Sequence, residues 1–166
     1  MCIRDSLIDY EIALHAPADS DVRFGDTKEG SFGIRLAESM RLKPNKHYEG
    51  KPLGRILQDT GVRNGDTWGK RARWTAYTGP VGARTMTVVI YDHPDNLRYP
   101  TWWHVRDYGL FAANPFGIHD FEKKPKGTGD LVLRAGEKAV FRYRVLILEG
   151  EPDAERLARL APTLKR

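Results

Sequence analysis

The chain has 166 residues, 40% of them hydrophobic and 30% charged, a balance typical of one globular domain and unlike that of a disordered or coiled-coil chain. The 27 basic and 22 acidic side chains leave a net charge of +5. So small an excess, spread among many carboxylates, does not indicate nucleic acid as a partner. No apolar run approaches the ~20 residues of a membrane-spanning helix, so the sequence predicts no membrane partner.

The first six residues, 1–6, resemble the translation of an adapter used in sequencing libraries, and we expect them to be a leader outside the fold. The only cysteine, Cys2, lies in this leader. The expected domain, residues 7–166, therefore offers no disulfide, no thiolate nucleophile and no sulfur ligand for a metal.

Alternating apolar and polar side chains predict β-strands through most of the chain. Residues 7–14 place four apolar side chains on one face, and residues 138–148 form the clearest long strand. Residues 84–91 are a nearly continuous β-branched run, which indicates burial on both faces. Shorter strands are predicted over residues 31–37, 70–77, 102–106, 109–113 and 130–133.

Helical spacing occurs only near the C-terminus, where Leu157, Leu160 and Leu164 follow Pro152. We expect a short helix there that covers an edge or end of a sheet. Residues 43–54 carry two prolines and two glycines and are predicted to form the longest loop. The architecture that fits these elements is an all-β, antiparallel β-sandwich with a short C-terminal helix.

The predicted strand 102–106 is the strongest candidate for a functional site. Alternation puts Trp102, His104 and Arg106 on one face and Trp103 with Val105 on the other. An aromatic ring, an imidazole and a guanidinium on one face suit a sugar site, with the apolar pair packed in the core. The alternative interpretation is an ordinary solvated strand face.

We predict His104 to be the main proton-transfer group, with Asp107 or Glu29 as its carboxylate partner. His93 is a second catalytic candidate because it follows Asp92 at the end of an apolar strand, although a local turn would explain the same residues. Further substrate-binding candidates share polar or charged side chains within the same motif-rich stretches: Lys28, Lys70, Arg71, Asp92 and Asn114.

The same stretches carry no recognisable cofactor motif. The histidines and nearby carboxylates show no compact ligand spacing, and no glycine-rich phosphate or dinucleotide motif occurs. The sequence therefore predicts neither a metal nor another cofactor.

Six arginines fall opposite the apolar stripes of the predicted strands. If these strands share one sheet, that face is cationic and favours acidic over neutral sugars; the alternative is a solvated face without a ligand. The six are Arg35, Arg71, Arg73, Arg106, Arg142 and Arg144.

Residues 25–35, 68–74, 92–94 and 104–117 closely resemble the bacterial PmoA-like family, labelled "methane oxygenase PmoA". The resemblance extends from residue 7 to about residue 150. The resemblance implies the fold of a galactose-mutarotase-like supersandwich. Because members of the family are about twice as long, it implies only one half of that fold. The chain would then be the C-terminal half of a larger domain, and the N-terminal half of that domain would be missing.

Three functions follow from the residues and the resemblance. The first is an enzyme that uses histidine and carboxylate acid-base chemistry on a sugar or sugar acid. The second is a non-catalytic carbohydrate-binding sandwich, and the third is the metal-dependent oxygenase of the family label. The partner expected in the first two cases is a small carbohydrate. Because residues 7–14 would form an unpaired sheet edge, self-association as a homo-oligomer is also expected.

Overall fold

The computed structural model of the chain describes residues 5–29, 32–45 and 53–161. Two short α-helices, α1 (Ile118–Glu122) and α2 (Ala154–Leu160), lie in the C-terminal third of the chain. The β-strands of the described residues are β1 (Ser6–His15), β2 (Val22–Phe24), β3 (Phe32–Arg35), β4 (Arg55–Gln58), β5 (Trp74–Val81), β6 (Arg84–Asp92), β7 (Trp102–Val105), β8 (Leu110–Asn114), β9 (Leu131–Leu133) and β10 (Lys138–Glu149).

The strands form antiparallel sheets that face each other. A five-stranded sheet has the order β1-β10-β6-β5-β4, and a three-stranded sheet has the order β3-β8-β7. A small pair, β2-β9, completes the arrangement. The long strand β10 pairs with β1 from Lys138 to Ile147 and with β6 from Tyr143 to Glu149, so Tyr143 lies opposite both Tyr10 and Asp92.

The main core fills the space between the five-stranded and three-stranded sheets. Trp103 and Phe111 from the smaller sheet pack with Tyr77, Ile90 and other side chains of the larger one. All four of these side chains are fully buried. Two layers that enclose one apolar core define a β-sandwich, so the predicted all-β class is confirmed.

The C-terminal helix α2 packs on the outer face of the five-stranded sheet rather than on an edge or end. Leu157 is buried against Trp74, Tyr91 and Leu146, and the Tyr91 hydroxyl donates to the Leu157 carbonyl at 2.9 Å. A sheet with apolar side chains on both faces needs a cover on each, which explains this position. No helix in the described ranges is long and apolar enough to cross a membrane.

Some predicted boundaries need correction. The strand expected over residues 70–77 begins only at Trp74, because Ala72 packs in the inner core whereas Trp74 faces α2. Strand β1 begins at Ser6, within the expected leader. Strands β2 and β4 and helix α1 were not predicted. Part of the predicted loop 43–54, together with Ser31 and Leu164, lies outside the described residues.

Candidate functional site

His104 lies in β7 as predicted, but its side of the strand is covered. Trp103 and Val105 pack in the main core, so the predicted alternation of faces is correct. The imidazole is nevertheless only 4% exposed, and its Nδ1 lies 2.5 Å from the Lys28 carbonyl oxygen. Trp68 and Phe121 meet it edge-on, each with ring centroids 6.3 Å away. The expected open face is wrong because α1, which carries Phe121, covers it.

Neither predicted carboxylate partner reaches His104 in the described structure. Asp107 lies 2.6 Å from the Lys43 ammonium, which lowers the pKa of the Asp107 carboxyl. Glu29 is exposed and lies 3.6 Å from the Lys28 ammonium. The expected histidine and carboxylate pair is therefore not formed at His104.

The residues expected to flank His104 contact protein groups. The Arg71 guanidinium stacks over the Trp102 ring at 4.5 Å and donates to the Pro100 carbonyl at 2.7 Å. The Trp102 indole N–H donates to Glu122 in α1 at 3.0 Å. Arg106 lies between aromatic rings, 5.9 Å from Trp68 and 5.6 Å from Tyr108. The Trp102 ring is thus covered by Arg71 instead of being open for a sugar to stack on.

Asn114 and Lys28 hold the loop before β3 in place. Asn114 is fully buried, donates to the Thr27 carbonyl at 2.9 Å and accepts from the Phe116 N–H at 2.8 Å. The Lys28 N–H donates to Asp120 in α1 at 3.1 Å. Lys70, by contrast, is exposed. We refer to His104, Trp68, Phe121, Lys28 and Asn114 as the His104 cluster.

The predicted cationic face does not form. Arg142 and Arg144 lie on β10 opposite Glu11 and Asp9 of β1, with the charged atoms 2.9 and 2.5 Å apart. Arg73 is paired with Asp59 at 2.5 Å. The remaining arginines belong to the other sheet or to loops: Arg35, Arg71 and Arg106. The prediction failed because the six arginines do not share one sheet, and because β1 supplies acidic residues opposite the two arginines of β10.

Asp92 occupies the end of β6, where its carboxylate links three segments. One oxygen accepts from the Asn96 amide at 2.7 Å, and the other accepts from the Thr101 N–H at 2.8 Å. Asn96 also accepts from the Arg142 N–H at 2.7 Å. Burial outweighs these hydrogen bonds and raises the pKa of Asp92 to about 6.

His93 takes part in the same turn. Its Nδ1 accepts from the Asp95 N–H at 3.0 Å, whereas the Asp95 carboxylate lies 3.9 Å away, beyond a hydrogen bond. The local turn, the alternative interpretation of this motif, accounts for these contacts. His93 is 8% exposed.

A cleft of about 210 Å³ opens beside Asp92. Its walls combine one carboxyl of raised pKa with one arginine and several aromatic rings, a combination found in binding and catalytic sites. We call it the Asp92 cleft, and it is lined by Arg73, Trp74, Tyr91, Asp92, Pro94, Tyr99, Ala158 and Ala161.

The sequence indicated only part of this cleft. Asp92 was a candidate, and Arg73, Trp74 and Pro94 lie in motif-rich stretches, but Tyr99 gave no signal. Tyr99 follows Arg98, a non-glycine residue with a positive φ of 66°. Such a conformation persists where the surroundings hold it, and the Arg98 guanidinium donates to the Pro115 and Gly129 carbonyls at 2.7 and 2.6 Å.

Within residues 5–29, 32–45 and 53–161, no three histidine, aspartate or glutamate side chains are grouped so that they could hold a metal ion.

Fold and cleft together define the class of the protein: an antiparallel β-sandwich with a small polar and aromatic cleft at one end of its larger sheet. Residues 4–162 match the model described as "Family of unknown function (DUF6807)", and the chain belongs to this family. The predicted PmoA-like membership is therefore wrong. No curated protein and no solved structure matches the chain significantly, so the expected kinship with galactose mutarotases stays a prediction.

Proposed function

We propose that this protein binds a small carbohydrate in the Asp92 cleft without transforming it. The observation that carries the proposal is the composition of the cleft, in which Asp92, Arg73 and Tyr99 line one cavity with further aromatic side chains. Sugars are recognised by such walls, because hydroxyl groups need polar partners and the ring faces pack on aromatic surfaces.

Size and charge fit a single sugar ring. A volume of about 210 Å³ accommodates one pyranose but not a long chain. Arg73 binds Asp59 through its Nε, and in the described part of the chain its terminal amino groups make no other hydrogen bond. They can donate to a hydroxyl or a carboxylate, so both neutral and acidic sugars are candidate ligands.

Catalysis is the second candidate, and one observation favours it. A carboxyl with a pKa of about 6 is partly protonated near neutral pH, as a general acid or base must be. The histidine and carboxylate pair expected of an enzyme is not formed at His104 or His93, however. Binding alone therefore has the stronger support, and nothing in the site favours oxygenase chemistry.

Nuclear magnetic resonance tests the proposal directly. Isotope-labelled protein is titrated with the methyl glycosides of glucose, galactose and glucuronic acid, up to tens of millimolar. We expect amide shifts in the segment from Asp92 to Thr101 and around Arg73. The proposal fails if none of the sugars shifts these amides, or if the shifts centre on another region.

A pair of tyrosine variants sharpens the test. Tyr99→Ala removes an aromatic wall of the cleft and should weaken sugar binding roughly two- to tenfold. Tyr108→Ala removes another half-buried tyrosine, which packs against Arg35 and Arg106, and should leave binding unchanged. If new sugar resonances appear with time in the presence of the parent chain but not in the presence of the Asp92→Asn variant, the catalytic candidate is favoured.

A further inference from the structure

Strand β1 is an edge of the five-stranded sheet, and β10 is the strand beside it. The His93 N–H donates to the Arg142 carbonyl, so the backbone of Arg142 faces the β6 side of β10. Glu11 lies opposite Arg142 and must direct its own N–H and C=O away from β10. The Ala16 N–H, which donates to the Glu137 carbonyl at 2.9 Å, follows the same alternation.

Five residues of β1 therefore present backbone donors and acceptors outward from the sheet. Such an edge is a template for a further strand, and proteins usually protect it with lysine, proline or a bulge. Residues 6–15 contain no lysine or proline, and the pairing with β10 runs without interruption. The five outward-facing residues are Leu7, Asp9, Glu11, Ala13 and His15.

The side chains of β1 are unusually apolar for a free edge. Leu7, Ile8 and Tyr10 are 52%, 40% and 37% exposed, three of the eight large hydrophobic side chains exposed in the described ranges. Ile12 and Leu14, on the same face as Tyr10, line a largely apolar cavity of about 330 Å³. The Tyr10 ring packs on Phe32 of the facing sheet, with ring centroids 4.9 Å apart. The face of β1 that carries Ile8, Tyr10, Ile12 and Leu14 therefore continues the main core to the sheet edge, where Ile8 and Tyr10 stay exposed.

We propose that β1 pairs antiparallel with β1 of a second copy of this chain, with Glu11 at the two-fold axis. Asp9 then lies opposite Ala13 and Leu7 opposite His15, so all five outward-facing residues find backbone partners. On the apolar face Tyr10 lies opposite Ile12 and Ile8 opposite Leu14. The two larger sheets become continuous, and Tyr10 of the second copy lies at the mouth of the apolar cavity.

Backbone pairing and charge together select this register over its two neighbours. A two-fold axis at Tyr10 would place Asp9 opposite Glu11 twice and His15 opposite Asp5, which precedes β1. A two-fold axis at Ile12 would place Leu7 opposite Pro17, which has no N–H to donate. The axis at Glu11 opposes only the two Glu11 side chains, and each of these already contacts Arg142 at 2.9 Å. Like charges directly opposite destabilise a strand pair, which disfavours the axis at Tyr10. Only the axis at Glu11 gives all five outward-facing residues partners within β1, so this register is preferred.

Cysteine crosslinking in a Cys2→Ser background tests both the dimer and its register. In the proposed register the two Cα atoms at position 11 lie about 5.5 Å apart, within the range of a disulfide. The two Cα atoms at position 9 lie about 14 Å apart. We expect Glu11→Cys to form a covalent dimer under mild oxidation and Asp9→Cys to stay monomeric. Crosslinking of Asp9→Cys instead, or of neither variant, would overturn the proposal.

Light scattering on the unmodified chain and two Glu11 variants supplies an independent readout. The N–H of Glu11 points away from β10, so Glu11→Pro blocks the edge without removing a hydrogen bond within the sheet. It should yield a folded monomer, as judged by circular dichroism, whereas Glu11→Gln should remain a dimer. A monomeric parent chain, or a Glu11→Pro protein that stays dimeric, would refute the pairing. If Glu11→Pro does not fold, the crosslinking result still decides.

Discussion

The His104 cluster and the Asp92 cleft draw on similar polar and aromatic side chains, yet of these two regions only the cleft is open. In the cluster, α1 and the Lys28 loop close over the imidazole, and its hydrogen bond goes to a backbone carbonyl. In the cleft, Asp92 is equally buried, but Arg73 and Tyr99 beside it border a cavity. The chemical composition of a motif therefore does not tell whether a ligand can reach it.

The two regions also differ in what holds their polar groups. The cluster is tied to α1 through Lys28 and Asp120, so its contacts maintain the loop. Asp92 is held by Asn96 and Thr101 in its own turn, and its burial carries an electrostatic cost. A group maintained at such a cost is more informative about function than a group whose contacts stabilise the fold.

The largest effect on stability is expected for Trp103, which lies next to His104 on β7 but packs in the main core. Trp103→Ala removes a fully buried ring and its hydrogen bond to the Ala72 carbonyl at 2.9 Å. It should lower the free energy of unfolding by roughly 3–5 kcal/mol, measured by urea denaturation. Val132→Ala, at a 45% exposed position, should change it by less than about 0.5 kcal/mol. A benign Trp103→Ala would mean that the two faces of β7 are assigned backwards.

The electrostatic cost of Asp92 should appear as a pH dependence of stability. The folded chain holds its proton up to a pKa of about 6, whereas the unfolded chain releases it near 3.8. Stability should therefore fall by roughly 3 kcal/mol as pH rises through this window. Asp92→Asn should abolish this slope in urea titrations at several pH values.

Asp95→Asn is the matched control, because Asp95 lies in the same loop with an exposed side chain. It should keep the slope of the parent chain. The carboxyls paired with arginine or lysine, such as Asp9 and Asp107, have lowered pKa values. Their contribution to stability has the opposite pH dependence, because it is lost as pH falls below about 4. A slope that persists in Asp92→Asn would contradict the assignment.

His104→Ala separates a structural histidine from a functional one. It removes a buried ring and leaves the Lys28 carbonyl without its partner, at a cost of roughly 1–3 kcal/mol. Sugar binding in the Asp92 cleft should not change, as followed by the amide shifts. His15→Ala, at an exposed position on β1, should be neutral within about 0.5 kcal/mol. If a folded His104→Ala variant lost sugar binding, the sugar site would have to lie at His104 in β7 and not in the Asp92 cleft.

The smallest effect concerns the ion pairs on the outer sheet face. Asp9→Asn breaks a contact with Arg144 in which the aspartate is 57% exposed. It should cost about 0.2–1 kcal/mol, and the difference should shrink in high salt. Asp19→Asn, at another exposed position, should have no measurable effect. A salt-independent loss would indicate that Asp9 acts through something other than its charge.

The sequence by itself determined most of the strands and, in the longest of them, which face each side chain occupies. A strand exposes alternate side chains to opposite faces, so the apolar stripes of β1 and β10, the double burial of β6 and the packing of Trp103 and Val105 followed from local patterns. The C-terminal helix was also predictable, because its leucine spacing and the Asp153 cap lie within one short segment.

Only the tertiary structure decided what covers each face. His104 is buried because α1, too short for a periodic signal, packs against it, and the arginines of β10 are neutralised by acidic residues more than a hundred positions away. The Asp92 cleft joins Arg73, Tyr99 and Ala158 from three distant segments. Such contacts depend on strand order and register, which local periodicity does not encode.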